Sequence, residues 1–131
     1  MHEVRETPFG VAVDLAGTVD RAEVERLAET VLSAVEATDD TFAVYADHRG
    51  LERLSERAAD AFVDLMADCE DRGLERSVVV FDSDVERVRH RRLSELAGVE
   101  GQRLVDASEP GWERDARSWI GDEQSVVGPR E

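Results

Sequence analysis

The chain of 131 residues has no lysine, no asparagine, one cysteine and one isoleucine. Its 16 basic side chains are therefore all arginines, set against 31 Asp and Glu, for a formal charge of −15. A net acid repels phosphate, and no basic stripe with interleaved aromatics is present, so a nucleic-acid partner is not expected. The lone Cys69 excludes an internal disulfide and a cysteine-rich zinc site, and its place on a helical stripe reads as a buried, inert thiol. No apolar run approaches the roughly 18 residues of a membrane span, and no leader-like segment opens the sequence, so the expectation is a cytoplasmic protein without membrane insertion. Acid at this density opposes compaction in dilute buffer, and concentrated salt screens it. The composition thus points to folding in molar salt, the cytosol of a salt-in halophile.

What is present is an ordinary single-domain complement. Apolar residues make up 41 %, mostly Val, Ala and Leu, and they are periodic, so the 36 % charged fraction does not imply disorder. Val11, Val13 and Leu15 alternate with Ala12, Asp14 and Ala16, which predicts a strand over 9–15, with Val4 to Glu6 pairing as a first hairpin strand. Gly17 is expected to turn the chain, and Asp20 with Glu23 has the spacing of a capping box at the head of a helix over 21–37. Thr38, Asp39 and Asp40 break that helix. A short strand over 41–46 follows, then a polar loop at 47–50, then a second helix to about Arg72. Its inner stripe is Ala58, Phe62, Leu65, Met66 and Cys69, and Gly73 closes it. The unbroken run SVVVF at 77–81 reads as a strand buried on both faces. Asp82 or Ser83 caps a third helix with Val85, Val88, Leu93, Leu96 and Ala97 expected inward. A brief edge strand at 103–105 and a short helix carrying Trp112, Ala116, Trp119 and Ile120 complete a domain over 1–121, with a tail from 122. Strands alternating with helices give an α/β sheet with covering helices.

Chemistry-bearing residues gather at the expected strand ends. Asp47, His48 and Arg49 follow the second strand, Asp82, Ser83 and Asp84 the third, and Asp106 and Ser108 the fourth. Ligand sites in open α/β sheets favour such ends. The same residue types also cap helices, and no spacing singles out a nucleophile with an oriented base. No catalytic residue is therefore assigned. A hydrolase-like rim of Asp47, His48 and Asp82 is the minor alternative, and no metal or cofactor is expected. Arg87, Arg89, His90, Arg91 and Arg92 form the one positive cluster, either a solvated face balanced by Asp84, Glu86 and Glu95 or a dock for an acidic partner or anionic ligand. Trp112, Trp119 and Ile120 share a helical face that could serve the core or a homodimer.

The segments VAVDLAGTVDRAEV (11–24), FAVYADHRG (42–50), GLERSVVVFDSDVERVRHRRLSELAG (73–98) and RLVDASEPGWERDARSWI (103–120) resemble the STAS domain, in particular its SpoIIAA-like, anti-sigma-factor-antagonist-like group. With the composition, they describe a haloarchaeal-type member. The resemblance implies a STAS/SpoIIAA-like fold, a mixed sheet of four to five strands with about four helices. It also implies a non-enzymatic regulatory module that binds an as yet unknown protein partner. In that family a Ser or Thr at the start of the helix after the central strand is phosphorylated, and Ser55 is the nearest match. The Asp and Gly of the family's Asp-Ser-x-Gly-like motif are absent, Leu54 preceding Ser55 and Glu56 and Arg57 following it. The surface implied for the partner is the stretch from His48 to Ser55. Related folds also hold lipids or anions between helix and sheet, so a small-molecule carrier is the alternative.

Overall fold

The computed structural model describes residues 1–36 and 41–121. The expected helix breakers Thr38, Asp39 and Asp40 and the tail from Asp122 lie outside the described residues. Nine elements follow in the order β1 (His2–Thr7), β2 (Gly10–Val19), α1 (Arg21–Glu36), β3 (Phe42–Leu54), α2 (Glu56–Asp71), β4 (Leu74–Phe81), α3 (Asp84–Ala97), β5 (Gln102–Asp106) and α4 (Trp112–Ile120).

The strands form one sheet in sequence order, β1 to β5. β1 runs antiparallel to β2, and the other three pairings are parallel. Each parallel step moves the same way across the sheet, so right-handed crossovers send every connecting helix to one face. The core confirms this placement: α1, α2 and α3 bury Val24, Leu27, Phe62, Leu65 and Leu93 against Val11, Val13, Leu15, Val79 and Phe81. The opposite face would be bare, and α4 covers it, laying Ala116 and Ile120 on Ala43, Val78, Val80 and Val105. A sheet covered on both faces accounts for the unbroken apolar run of β4.

Several expectations are corrected. β2 does not turn at Gly17 but continues to Val19, and β3 does not stop at Ala46 but continues to Leu54. The two extensions hold each other, pairing Ala16 with Gly50, Gly17 with Leu51 and Val19 with Leu54 past two register shifts. The expected polar loop at 47–50 is thus strand, and Arg53, expected on the second helix, also lies on β3. Ser55 ends β3 and caps α2, its Oγ accepting from Ala58 N at 3.1 Å. Ser83, not Asp82, caps α3. On α3 the expected inner residues Val85, Val88 and Leu96 point to solvent, while Leu93 is inward as expected and is joined there by His90 and Ser94. The Trp face of α4 is taken up by the chain's own sheet: Ile120 is buried, and Trp112 and Trp119 are half-buried beside it. Cys69 is buried as expected, and burial pushes its thiol up to about 12. No helix among the described residues is long and apolar enough to cross a membrane.

Candidate functional site

Alternation along a strand decides the fate of the Asp47–His48–Arg49 triplet. Asp47 and Arg49 project to the α4 face and His48 to the face of α2 and α3. Arg49 donates from Nε and from its backbone N to Asp47 Oδ1, each at 3.0 Å, and from Nη2 to Oδ2 at 2.7 Å. Burial alone would raise the Asp47 carboxyl, but the Arg49 hydrogen bonds outweigh it and hold it below its ordinary range. The same guanidinium lies 4.7 Å from the ring centre of Trp112, so Arg49 ties β3 to α4. Asp47, Arg49 and Trp112 form a closed, satisfied cluster.

His48 is on the other side, 3 % exposed, in a nest of rings. Its ring centre is 5.2 Å from Phe81, 5.8 Å from Phe62 and 5.3 Å from His90, itself 5 % exposed. Neither nitrogen of His48 has a hydrogen-bond partner, nor has His90 Nε2. Burial lowers His48 to about 4 despite the attraction of Asp47, and burial and then His48 lower His90 well below the ordinary value. Both imidazoles are therefore neutral at physiological pH. The pair was not legible in the sequence because Val85 and Val88 claimed the inner face of α3. The available signal was that His90 shares a helical stripe with Leu93 and Ala97.

The expected rim of Asp47, His48 and Asp82 does not assemble, since Asp47 and His48 face opposite ways and Asp82 is exposed. Ser83 is committed to its cap, accepting from Glu86 N at 3.4 Å. Asp106 Oδ1 accepts from the backbone N of Ser108 at 2.9 Å and from its Oγ at 2.7 Å, and these bonds hold the carboxyl below its ordinary range. The structure does gather Arg87 and Arg91. They line a polar groove of about 760 Å³ together with Gln102 to Asp106 of β5 and with Trp112 of α4. Arg87 is steadied by Asp84 at 3.0 Å, while its Nε is buried without a partner. Among the described residues no group of three His, Cys, Asp or Glu is placed to hold a metal ion.

No protein-family model matches the sequence, and no curated protein matches it significantly. Solved structures do match. A DUF3478-family protein from Shewanella loihica PV-4, described as uncharacterised with a SpoIIAA-like fold, superposes with a TM-score of 0.66 at 16 % identity over 92 % of both chains. The anti-sigma factor antagonist SpoIIAA in its unphosphorylated form gives 0.65 at 17 % identity, over 92 % of this chain and 98 % of that one. The Bacillus cell fate determinant SpoIIAA in its phosphorylated form gives 0.61 at 17 % identity, over 90 % and 99 %. This chain has the SpoIIAA-like STAS fold. The mixed five-stranded sheet and four helices agree with the architecture that the sequence resemblance implied.

Within that SpoIIAA-like frame Ser55 holds a defined place. It closes β3, donating its backbone N–H to Val19 O at 3.2 Å, and its half-buried hydroxyl caps α2. A second feature lies deeper, between the sheet and α1 to α3: an apolar cavity of about 60 Å³ lined by Val31, Leu65, Met66 and Val79, among others. Ser77, at 4 % exposure, His90 and Gln102 also line it, and Ser77 Oγ and His90 Nε2 lack partners.

Proposed function

We propose that this chain is a non-enzymatic regulatory protein of the SpoIIAA/STAS type, working in a halophile's cytosol by binding a protein partner and modified at Ser55. The observation that carries the reading is the Ser55 cap. The hydroxyl stands at the N-terminus of a 16-residue helix, at the end of a parallel strand, where backbone N–H groups and the helix dipole favour an anion. A phosphate there adds roughly −1.5 to −2 charge at neutral pH and brings acceptor oxygens to N–H groups that Oγ now serves alone. Solved SpoIIAA structures exist in unphosphorylated and phosphorylated forms, which supports carrying the modification to this position. The test is intact-mass measurement of the protein isolated from its native cytosol in molar KCl, with and without phosphatase. A phosphate mass that phosphatase removes and that Ser55→Ala abolishes is the expected result. A phosphate on another residue, or none after growth through all phases, would overturn the assignment.

The carrier reading has one observation in its favour, the cavity with its unpartnered Ser77 Oγ and His90 Nε2. At about 60 Å³ it suits a ligand of few heavy atoms, far below the ~300 Å³ at which drug-sized pockets begin. Native mass spectrometry of the intact protein decides it. A stoichiometric small-molecule mass that Ser77→Val removes supports the carrier, and a bare polypeptide mass opposes it.

A further inference from the structure

α3 presents apolar side chains to solvent. Val85, Val88 and Leu96 are 74 %, 58 % and 70 % exposed, three of the four large exposed apolar residues among those described. Their spacing sets them on one stripe of the helix, with Arg92 between Val88 and Leu96, Arg89 along one flank and Arg91 along the other. The helix does not need these residues for its own docking, because His90, Leu93 and Ser94 face inward. Scattered surface valines need no explanation, but a stripe over three turns does.

The charge around the stripe narrows what covers it. α3 carries four arginines against three acids, whereas α1 has two against four and α2 one against six, and α4 is balanced. Arg87 is held by Asp84, but Arg89, Arg91 and Arg92 form no ion pair among the described residues. In a chain of charge −15, basic side chains left unneutralised beside exposed aliphatic ones are unusual. We propose that the outward face of α3 docks an acidic amphipathic helix of a partner protein, its apolar ridge packing on Val85, Val88 and Leu96 and its carboxylates meeting Arg89, Arg91 and Arg92. This deepens the binding-module reading and rests on it. A stripe about 16 Å long matches three turns of a partner helix packing ridge into groove. At molar salt the Debye length is about 3 Å, so the arginines act only on carboxylates in contact with them, while the aliphatic contact persists. A lipid surface fits less well, since the stripe offers three aliphatic side chains and no aromatic anchor.

The test uses the whole chain in molar KCl. The probe is a labelled synthetic amphipathic helix with a Leu face and Glu elsewhere, read by fluorescence anisotropy. Its controls are the same peptide with Lys for Glu, phosphatidylglycerol vesicles, and sedimentation of the protein alone. The expected result is saturable binding of the acidic peptide, with backbone NMR shifts confined to α3. The double variant Val88→Ser, Leu96→Ser should weaken it by about tenfold or more, and so should Arg89→Glu, Arg92→Glu. All four positions lie on α3 outside the buried core, and an unchanged circular dichroism spectrum verifies the fold. Equal binding of the basic peptide, or affinity indifferent to both variants, would overturn the proposal. So would vesicle binding in place of peptide binding, or self-association that Val88→Ser, Leu96→Ser abolishes, which would give the face to a second copy. The Ser55 phosphate mass is read independently, so failure here and failure of the regulatory reading are distinguishable.

Discussion

His48 is an imidazole delivered by a strand into a layer of phenyl rings, and its consequence is a pH-dependent fold. Its folded value of about 4 lies below the ordinary 6.5, so the unfolded chain binds protons that the folded chain refuses. The contribution of His48 to stability is therefore fully present above pH 6.5 and is lost as pH falls from there toward 4. A shift of this size corresponds to about 3 kcal/mol at the acid end, and His90, lowered for the same reason, adds to it. Glu86 and Arg89 border the same small gap as the two rings, and Asp47 is the nearest acid in sequence, but none of them bonds either imidazole. Acidification meanwhile discharges carboxylates and relieves repulsion, which acts in the opposite direction. Urea unfolding in molar KCl from pH 7.5 to 4.5 should thus show less acid stabilisation in the native sequence than in His48→Phe, which keeps a ring in the nest and cannot titrate. Parallel pH profiles for the two proteins would refute the role of the pair. The one signal for this site in the sequence was the stripe that His90 shares with Leu93 and Ala97, because a histidine beside Asp and Arg reads as part of a polar loop.

The elements show why most of the fold, but less of the site, was legible. The periods of two in β2 and of 3.6 in α1 and α2 are strong because one face of each is buried, and the structure reproduces them. β3 was cut short because DHRG looks like a loop, although Asp47 and Arg49 neutralise each other on the α4 face and only His48 enters the core. Its true length is set by pairing with β2, a nonlocal fact. α3 was read with Val85, Val88 and Leu96 inward, but these point to solvent, so hydrophobicity and burial part company there. Glycine was also ambiguous: Gly17 and Gly101 look alike in sequence, and both have positive φ, +73° and +67°. A Cβ on Gly17 would meet nothing within 4 Å, whereas one on Gly101 would come 2.5 Å from Glu75 O. Gly101 O also accepts from Ser77 N and from Trp119 Nε1, each at 3.0 Å, so it links β5, β4 and α4. Gly17→Ala should cost about 1–2 kcal/mol, the backbone penalty alone. Gly101→Ala should cost about 3 kcal/mol or more and shift Trp119 fluorescence, since steric displacement adds to that penalty. Equal losses in thermal unfolding would mean that the strand moves aside freely.

At the scale of the whole molecule the excess of acid outweighs the pairing that the fold provides. Eight ion pairs join described residues, one of them through the Met1 amino group and one through His2. Most involve side chains open to solvent, and such pairs contribute about 0–1 kcal/mol each. They cannot offset a net charge of −15 spread over a small surface, so the folded state carries a repulsion that added salt would screen. The Debye length falls from about 10 Å at 0.1 M to about 3 Å at 1 M, so the gain from screening should be concentrated below molar KCl and then flatten. Ion exclusion, the competing cause of salt stabilisation, strengthens burial whatever the protein's charge. pH separates the two. Near the sequence pI of about 4.5 the net charge vanishes, and a screening effect must shrink with it. The expected outcome is a midpoint of thermal unfolding that climbs steeply with KCl at pH 7.5 and only weakly at pH 4.5, measured on His48→Phe so that the imidazole does not add its own slope. An equal climb at both pH values would assign the salt stabilisation to exclusion. The missing lysines and the acid excess would then be a matter of solubility rather than of folding.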